Sequence, residues 1–147
     1  MYCLLVDVVY KKILVPVDGS ESSLRALQEA FKLAKNLDSE VTLINVYSAG
    51  SSVIMSSTQE ILRDLALKEA HSALNRAKEA AKAEGVAVKE LLLEGDTVDQ
   101  IVKTAQDGSF DLIVMGARGL NPVAELVLGS TSHGVIKKAP CPVLITR

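Results

Sequence analysis

The stretch that decides the fold runs from residue 112 to residue 134 and reads LIVMGARGLNPVAELVLGSTSHG. Its first part, Leu112–Met115, is a short apolar run that predicts a buried strand. The part from Gly116 to Gly134 follows directly and holds four of the chain's nine glycines. We therefore expect a strand, a loop and a helix, and ask whether the glycines only make turns or also help to hold a ligand.

Other apolar runs rich in β-branched residues occur along the chain, and each is bounded by turn residues. Together with the run above, they predict strands at Lys12–Val17, Val41–Tyr47, Val86–Leu93, Leu112–Met115 and Pro142–Thr146. Strands that alternate with helical patterns imply right-handed crossovers and a parallel sheet covered on both faces. We expect a single-domain three-layer α/β/α sandwich, with a five-stranded parallel sheet of order 3-2-1-4-5.

Capping residues mark the ends of the helices between these strands. The first helix can be capped by Ser20, Ser22 or Ser23, and the third by Asp96 or Thr97. The long helix Thr58–Glu84 has a candidate capping box, Ser57-x-x-Glu60, at its start and a left-handed Gly85 at its end. The last helix is expected to end at Val135–Lys138. Each signal lies where the periodicity of the apolar residues changes. The helix pattern therefore agrees with the strand pattern.

The bulk composition excludes several classes of protein. The chain has 147 residues, a net charge of −2 and only 3% aromatic residues, which disfavours nucleic-acid binding through basic patches or base stacking. Its apolar runs are too short to span a membrane, and the start lacks the basic residue of a signal peptide. We expect a cytoplasmic protein with neither nucleic acid nor membrane as a partner.

The glycine-rich loop does not match two common phosphate-binding patterns. The first strand is followed by Asp18-Gly19-Ser20-Glu21 instead of G-x-G-x-x-G, and no Gly-Lys-Ser/Thr occurs in the chain. In a sheet of order 3-2-1-4-5, however, strands 1 and 4 flank the point where the winding reverses, and ligands bind there beyond the carboxyl ends of the strands. The loops after Val17 and Met115 are therefore predicted to face each other across one cleft.

The residue types in these two loops suit an anion. Gly116 and Gly119 permit close backbone approach and positive φ and expose backbone N–H groups, and Arg118 offers a fork of donors. Residues 129–132 precede the last helix, where free N–H groups and the helix dipole favour a negative charge and the hydroxyl groups, including that of Ser132, add donors. Asp18 can accept from ribose hydroxyls or hold a divalent cation through water. Each residue alone is also explained as a turn or a cap, but together they favour an anion site.

At this point the chain resembles the nucleotide-binding branch of the universal stress protein family. That family's motif is G-x-x-G, nine residues, then G-[ST], and here Gly116, Gly119, Gly129 and Ser130 fill it completely. The beginning YKKILVPVDGS and the ending APCPVLITR also match. The resemblance covers residues 10–147 as one universal stress protein domain. Residues 1–9 are then an N-terminal extension or a mis-assigned start.

The resemblance implies an adenine nucleotide alpha hydrolase-like fold that binds ATP or AMP, with Mg²⁺ beside the nucleotide near Asp18. By motif position, the resemblance implies that adenine and ribose contact Pro16, Val17 and Asp18, and that adenine also contacts Val46. The ribose and phosphates would contact Met115, Gly116, Arg118 and Gly119. The phosphate end would contact Gly129, Ser130 and Thr131. It also implies a homodimer through the last strand, Val143 to Thr146. The function would be that of a regulatory or stress-response module.

Two other functions stay open on the sequence. One is a slow ATPase that uses Asp18 and Arg118, the nearby charged residues. The other is an interaction protein that uses the long helix and the edge strand, with incidental nucleotide binding. His71 is expected on a solvated helix face, and His133 is expected to pack in the last helix.

Overall fold

A computed structural model describes residues 10–48, 50, 56–118 and 128–147 of the chain. Its elements are β1 (Lys12–Pro16), α1 (Glu21–Leu37), β2 (Glu40–Tyr47), α2 (Ser57–Ala83), β3 (Val88–Glu94), α3 (Thr97–Asp107), β4 (Leu112–Gly116), α4 (Ser130–Lys138) and β5 (Val143–Thr146). The sheet is parallel and has the order β3-β2-β1-β4-β5. The predicted fold class is confirmed. Residues 1–9 and Gly119 lie outside the described residues.

The central strand β1 separates two apolar cores. Ile13 and Val15 pack with α1 and α2 on one face, whereas Leu14 packs with α3 and α4 on the other. All three side chains are completely buried. Because alternate residues of a strand point to opposite faces, a sheet covered on both sides needs apolar residues at every position. This explains why β1 appears in the sequence as a continuous apolar run.

The helix caps agree with the sequence except at the start of α2. Ser20 caps α1 and Asp96 caps α3, as expected. The predicted capping box at Ser57 and Glu60 is wrong by one residue, since Ser56 has the extended backbone of a cap and pairs reciprocally with Gln59. Ser57 is therefore the first residue of the helix.

The beginning of the third strand was also predicted too early. The N–H group of Val86 donates to the carbonyl of Ala81 at 2.9 Å, so this residue still completes the end of α2. Gly85 has φ +70°, which confirms the expected left-handed cap. The strand starts at Val88, after the chain has left the helix. No helix in the described parts of the chain combines the length and apolar character of a membrane span.

Helices α3 and α4 approach closely at Gly134. A Cβ atom at this position would lie 2.8 Å from Cγ2 of Val98. Val98 is in the first turn of α3 and Gly134 is in the second turn of α4. The packing of α3 against α4 therefore explains why a glycine lies inside this helix.

Replacing Gly134 with alanine is expected to lower the free energy of unfolding by about 1 kcal/mol. Alanine gains about 0.5–1 kcal/mol in helix propensity, but overpacking of a tight contact costs about 1–3 kcal/mol. Chemical denaturation of the wild type and the Gly134→Ala variant measures the difference.

The Val98→Ala background provides the control, because it removes the two methyl groups that the new Cβ atom would meet. In this background we expect Gly134→Ala to be neutral or stabilising. An equal loss of stability in both backgrounds would contradict the contact as the cause.

Candidate functional site

A cavity of about 490 Å³ lies beyond the carboxyl ends of the strands, between the loops that follow β1 and β4. The sheet order changes direction at these two strands, so the cavity occupies the predicted switch point. Its lining includes every predicted site residue in the described part of the chain: Pro16, Val17, Asp18, Val46, Met115, Gly116, Arg118, Gly129, Ser130 and Thr131. The predicted Gly119 falls outside the described residues.

Ser132, which was expected to add a hydroxyl donor at the last helix, also lines the cavity. Five further lining residues were not predicted from the sequence: Ser23, Ile44, Asn45, Thr97 and Ile101. Ile44 and Asn45 directly precede the predicted Val46 at the end of β2, so the strand end gave a signal for both. Thr97 and Ile101 belong to α3. The sequence pattern predicts this helix, but it does not show that its first turns border the cavity.

The first wall is the turn after β1. The N–H group of Val17 donates to the carbonyl of Ile44 at 2.9 Å, and the side-chain amide of Asn45 donates to the carbonyl of Val17 at 2.7 Å. Oδ1 of Asp18 accepts from the N–H group of Ser20 at 2.8 Å. The intervening Gly19 has φ +83°, which glycine adopts without strain. The exposed Asp18 is therefore fixed at the wall of the cavity.

Gly116 allows a close approach of another backbone segment but does not have positive φ. Among the described glycines, positive φ occurs at Gly19, Gly50, Gly85 and Gly95 and not at Gly116, so the expectation of positive φ is wrong there. A Cβ atom at Gly116 would lie 2.7 Å from the backbone carbonyl carbon of Ser22. The small residue lets the first turn of α1 approach β4, which closes the sheet side of the cavity.

The backbone polar groups of Ala117 join three elements at the opposite wall. Its N–H group donates to the carbonyl of Thr146 in β5 at 2.8 Å. Its carbonyl accepts from the N–H group of Gly129 at 2.7 Å and from the hydroxyl of Ser132 at 2.9 Å. Residue 118 and the start of α4 are therefore held side by side, although ten residues separate Arg118 from Gly129 along the chain.

The start of α4 is arranged to receive an acceptor group. Gly129 is the N-cap residue, and as a glycine it has no side chain that could cap the helix. The alternative that Ser130 is the N-cap residue is wrong, because Ser130 is the first residue of the helix and is exposed. Uncapped N–H groups at a helix start, together with the helix dipole, favour an anion. The start of α4 therefore forms a polar end of the cavity that favours an anion.

The floor of the cavity is apolar and well packed. Ile44, Ile101 and Met115 are buried in the core between the sheet and helices α3 and α4, and Val46 packs against the same core. An apolar floor with a rim of hydroxyl, amide and backbone N–H groups is typical of sites for small organic ligands. The arrangement suits a ligand with a flat apolar part and a polar or anionic tail.

Charged groups at the cavity are limited. Asp18 and Arg118 are its charged lining residues within the described ranges. Nor does the described part of the chain contain a group of three or more His, Cys, Asp or Glu residues that could hold a metal. A divalent cation at Asp18 would therefore need further ligands from a bound molecule.

The other candidate side chains lie outside the cavity. His71 is exposed on α2, as expected, but His133 is also exposed, so the expectation that it packs in α4 is wrong. It points outward because Ser132 and Val135 occupy the buried face of this helix. Cys141 is half-buried, and desolvation raises the pKa of its thiol.

The chain matches the sequence model of the universal stress protein family over residues 9–147. It belongs to that family. A universal stress protein of Methanocaldococcus jannaschii is 38% identical over 141 residues, which cover 95% of this chain and 83% of the relative. The family assignment made from the glycine motif is thus confirmed.

Solved structures of universal stress proteins have the same fold. UspA from Lactobacillus plantarum has a TM-score of 0.82 and 29% identity, covering 94% of this chain and 98% of its own. A universal stress protein in complex with cAMP has a TM-score of 0.74 and 30% identity, covering 95% and 98%. This universal stress protein is therefore similar to a nucleotide-bound relative along nearly its whole length.

A Gly116→Ala variant is expected to lose about 1–3 kcal/mol of unfolding free energy, the usual range for overpacking. The new Cβ atom would meet the backbone of Ser22, which cannot move without separating α1 from β4. Urea denaturation provides the measurement.

Gly129→Ala is the matched control, because its Cβ atom would lie 3.3 Å from the nearest atom, the carbonyl oxygen of Ala117. We expect a clearly smaller loss there. Similar losses for the two variants would disagree with the contact between Gly116 and Ser22 as the constraint.

Proposed function

We propose that this universal stress protein binds an adenine nucleotide, ATP or AMP, and acts as a regulatory or stress-response module. The observation that carries the proposal is the cavity at the switch point, which combines an apolar floor with the start of α4, where the N-cap residue Gly129 has no side chain. A nucleotide has the same division into a flat base and an anionic tail. The similar structure in complex with cAMP supports a nucleotide as the ligand class.

In this proposal the base lies over the apolar floor. Pro16, Val17 and Val46 line the cavity and would contact the base, and Met115 of the floor would lie towards the ribose and phosphates. The backbone of Val46 at the end of β2 would meet the polar edge of adenine. The base would thereby bury apolar surface at about 25 cal/mol per Å² while its nitrogen atoms are paired with backbone groups.

The sugar and phosphates would extend towards α4. Asp18 would accept from the ribose hydroxyls, and Arg118 would donate to the phosphates. Gly116 and Gly119 would lie along the ribose and phosphates. Gly129, Ser130 and Thr131 would hold the phosphate end. Mg²⁺, if it takes part, would arrive with the phosphates of ATP and use Asp18 as a protein ligand.

Nucleotide binding is expected to raise the melting temperature in a saturable way. A ligand at one hundred times its Kd stabilises the native state by about 2.7 kcal/mol. Thermal-shift titrations with adenosine, AMP and ATP, each with and without Mg²⁺, measure this. The absence of any response would contradict the proposed function.

An Arg118→Gln variant is expected to weaken AMP and ATP binding about tenfold and to leave adenosine binding nearly unchanged, because a hydrogen bond to a charged group contributes about 1.5–3 kcal/mol. Arg25→Gln is the control, since Arg25 is an exposed α1 residue paired with Glu21 and does not line the cavity. Equal weakening of all three ligands would count against a phosphate contact at Arg118.

We also propose a homodimer that forms through β5. This strand lies at the end of the sheet order and pairs with β4 on one side. Its Leu144 is 39% exposed. An exposed edge strand with apolar residues invites pairing with another chain.

A Leu144→Lys variant is expected to shift the molar mass in light scattering from two chains to one, since charged residues on an edge oppose pairing. Leu62→Lys, at an exposed apolar position of α2 that is remote in sequence from β5, serves as the control and should leave the mass unchanged. A monomeric wild type, or a dimer that survives Leu144→Lys, would disagree with this interface.

A further inference from the structure

We infer that Asn45 is a positioning residue of the nucleotide site, which holds the peptide between Val17 and Asp18 so that Asp18 can meet the ribose. The inference rests on the proposed function and names a residue that the glycine motif does not contain. Asn45 would act through the turn after β1 and not by touching the nucleotide.

Asn45 lies where the pairing of β1 with β2 ends. The register pairs Pro16 with Ile44, and β1 stops there. The N–H group of Val17 still donates to the carbonyl of Ile44, and the side-chain amide of Asn45 donates to the carbonyl of Val17 at 2.7 Å. Both polar backbone groups of Val17 are therefore held by β2, one through the backbone and one through the side chain of Asn45.

The position is one where packing alone would favour an apolar residue. Asn45 is only 7% exposed, and its neighbours along the strand are Ile44 and Val46. A buried amide without a partner costs about 1–3 kcal/mol, so a polar side chain belongs there only if it makes a hydrogen bond. Since the partner is a carbonyl oxygen, the NH₂ group of the amide must face it. The side chain of Asn45 therefore holds the carbonyl group of Val17 in one direction.

Holding the carbonyl of Val17 also fixes Asp18. The peptide bond is planar, so the direction of this carbonyl sets the direction of the N–Cα bond of Asp18. On the other side, Oδ1 of Asp18 accepts from the N–H group of Ser20 at 2.8 Å. Asp18 is exposed at the cavity, yet it is anchored on both sides. Loss of Asn45 would release one of the two anchors.

The test separates this role from general destabilisation by using the ribose hydroxyls. Affinities of the Asn45→Leu variant for AMP and for 2′,3′-dideoxy-AMP are measured by calorimetry at a temperature where the variant is folded. We expect AMP binding to weaken about tenfold, equivalent to about 1.4 kcal/mol, and dideoxy-AMP binding to stay within about twofold of the wild type. If Asn45→Leu does not fold, Asn45→Ser replaces it, with the same split expected.

Two further variants complete the experiment. In the Asp18→Ala background, the Asn45 substitution is expected to cause no additional loss, because interacting residues are non-additive in a double-mutant cycle. Thr42→Val changes another buried polar residue of β2 and should leave both affinities unchanged.

Each contrary outcome has a distinct meaning. Equal losses for AMP and dideoxy-AMP, additive losses in the double variant, or no loss of AMP affinity would overturn the role of Asn45 while leaving nucleotide binding intact. A wild type that binds neither nucleotide would overturn the proposed function, and this inference with it.

Discussion

The cavity depends on the hydrogen bonds made by the backbone N–H and carbonyl groups of one residue, Ala117. Its N–H group extends the pairing of β4 with β5, and its carbonyl accepts from both Gly129 and Ser132. Ser132 is only 2% exposed, so its hydrogen bond to Ala117 is shielded from water. Hydrogen bonds inside a protein are electrostatically stronger than those in water. The end of a central strand and the start of a helix are thereby brought to one place. The rest of the site is built around that junction.

Much of the fold could be predicted because its signals are local. The apolar run at Leu112–Met115 and the caps at Ser20 and Asp96 need only their sequence neighbours to be recognised. The alternation of strands and helices then leaves few possible topologies. Gly116, Gly129 and Ser130 of the glycine motif line one cavity, and the position of that cavity could be predicted because ligands bind beyond the carboxyl ends of the strands where the sheet order reverses.

The remaining features arise from contacts between distant segments. Gly116 needs space for Ser22, which lies more than ninety residues earlier in the chain, and nothing local indicates this. Thr97 lines the cavity because of the way α3 packs on the sheet, which its sequence neighbours do not show. His133 was misjudged because the orientation of α4 is set by its packing on the sheet and on α3. In each case, local periodicity was correct and the tertiary partner was unknown.

The contact between Val98 and Gly134 also has a mechanical consequence. It joins the first turn of α3 to the second turn of α4, directly beneath the ends that border the cavity at Thr97 and Ser130. Close-packed interiors have low compressibility and transmit strain. The contact therefore limits how far the start of α3 can move towards α4, and it constrains the width of the cavity between Thr97 and Ser130.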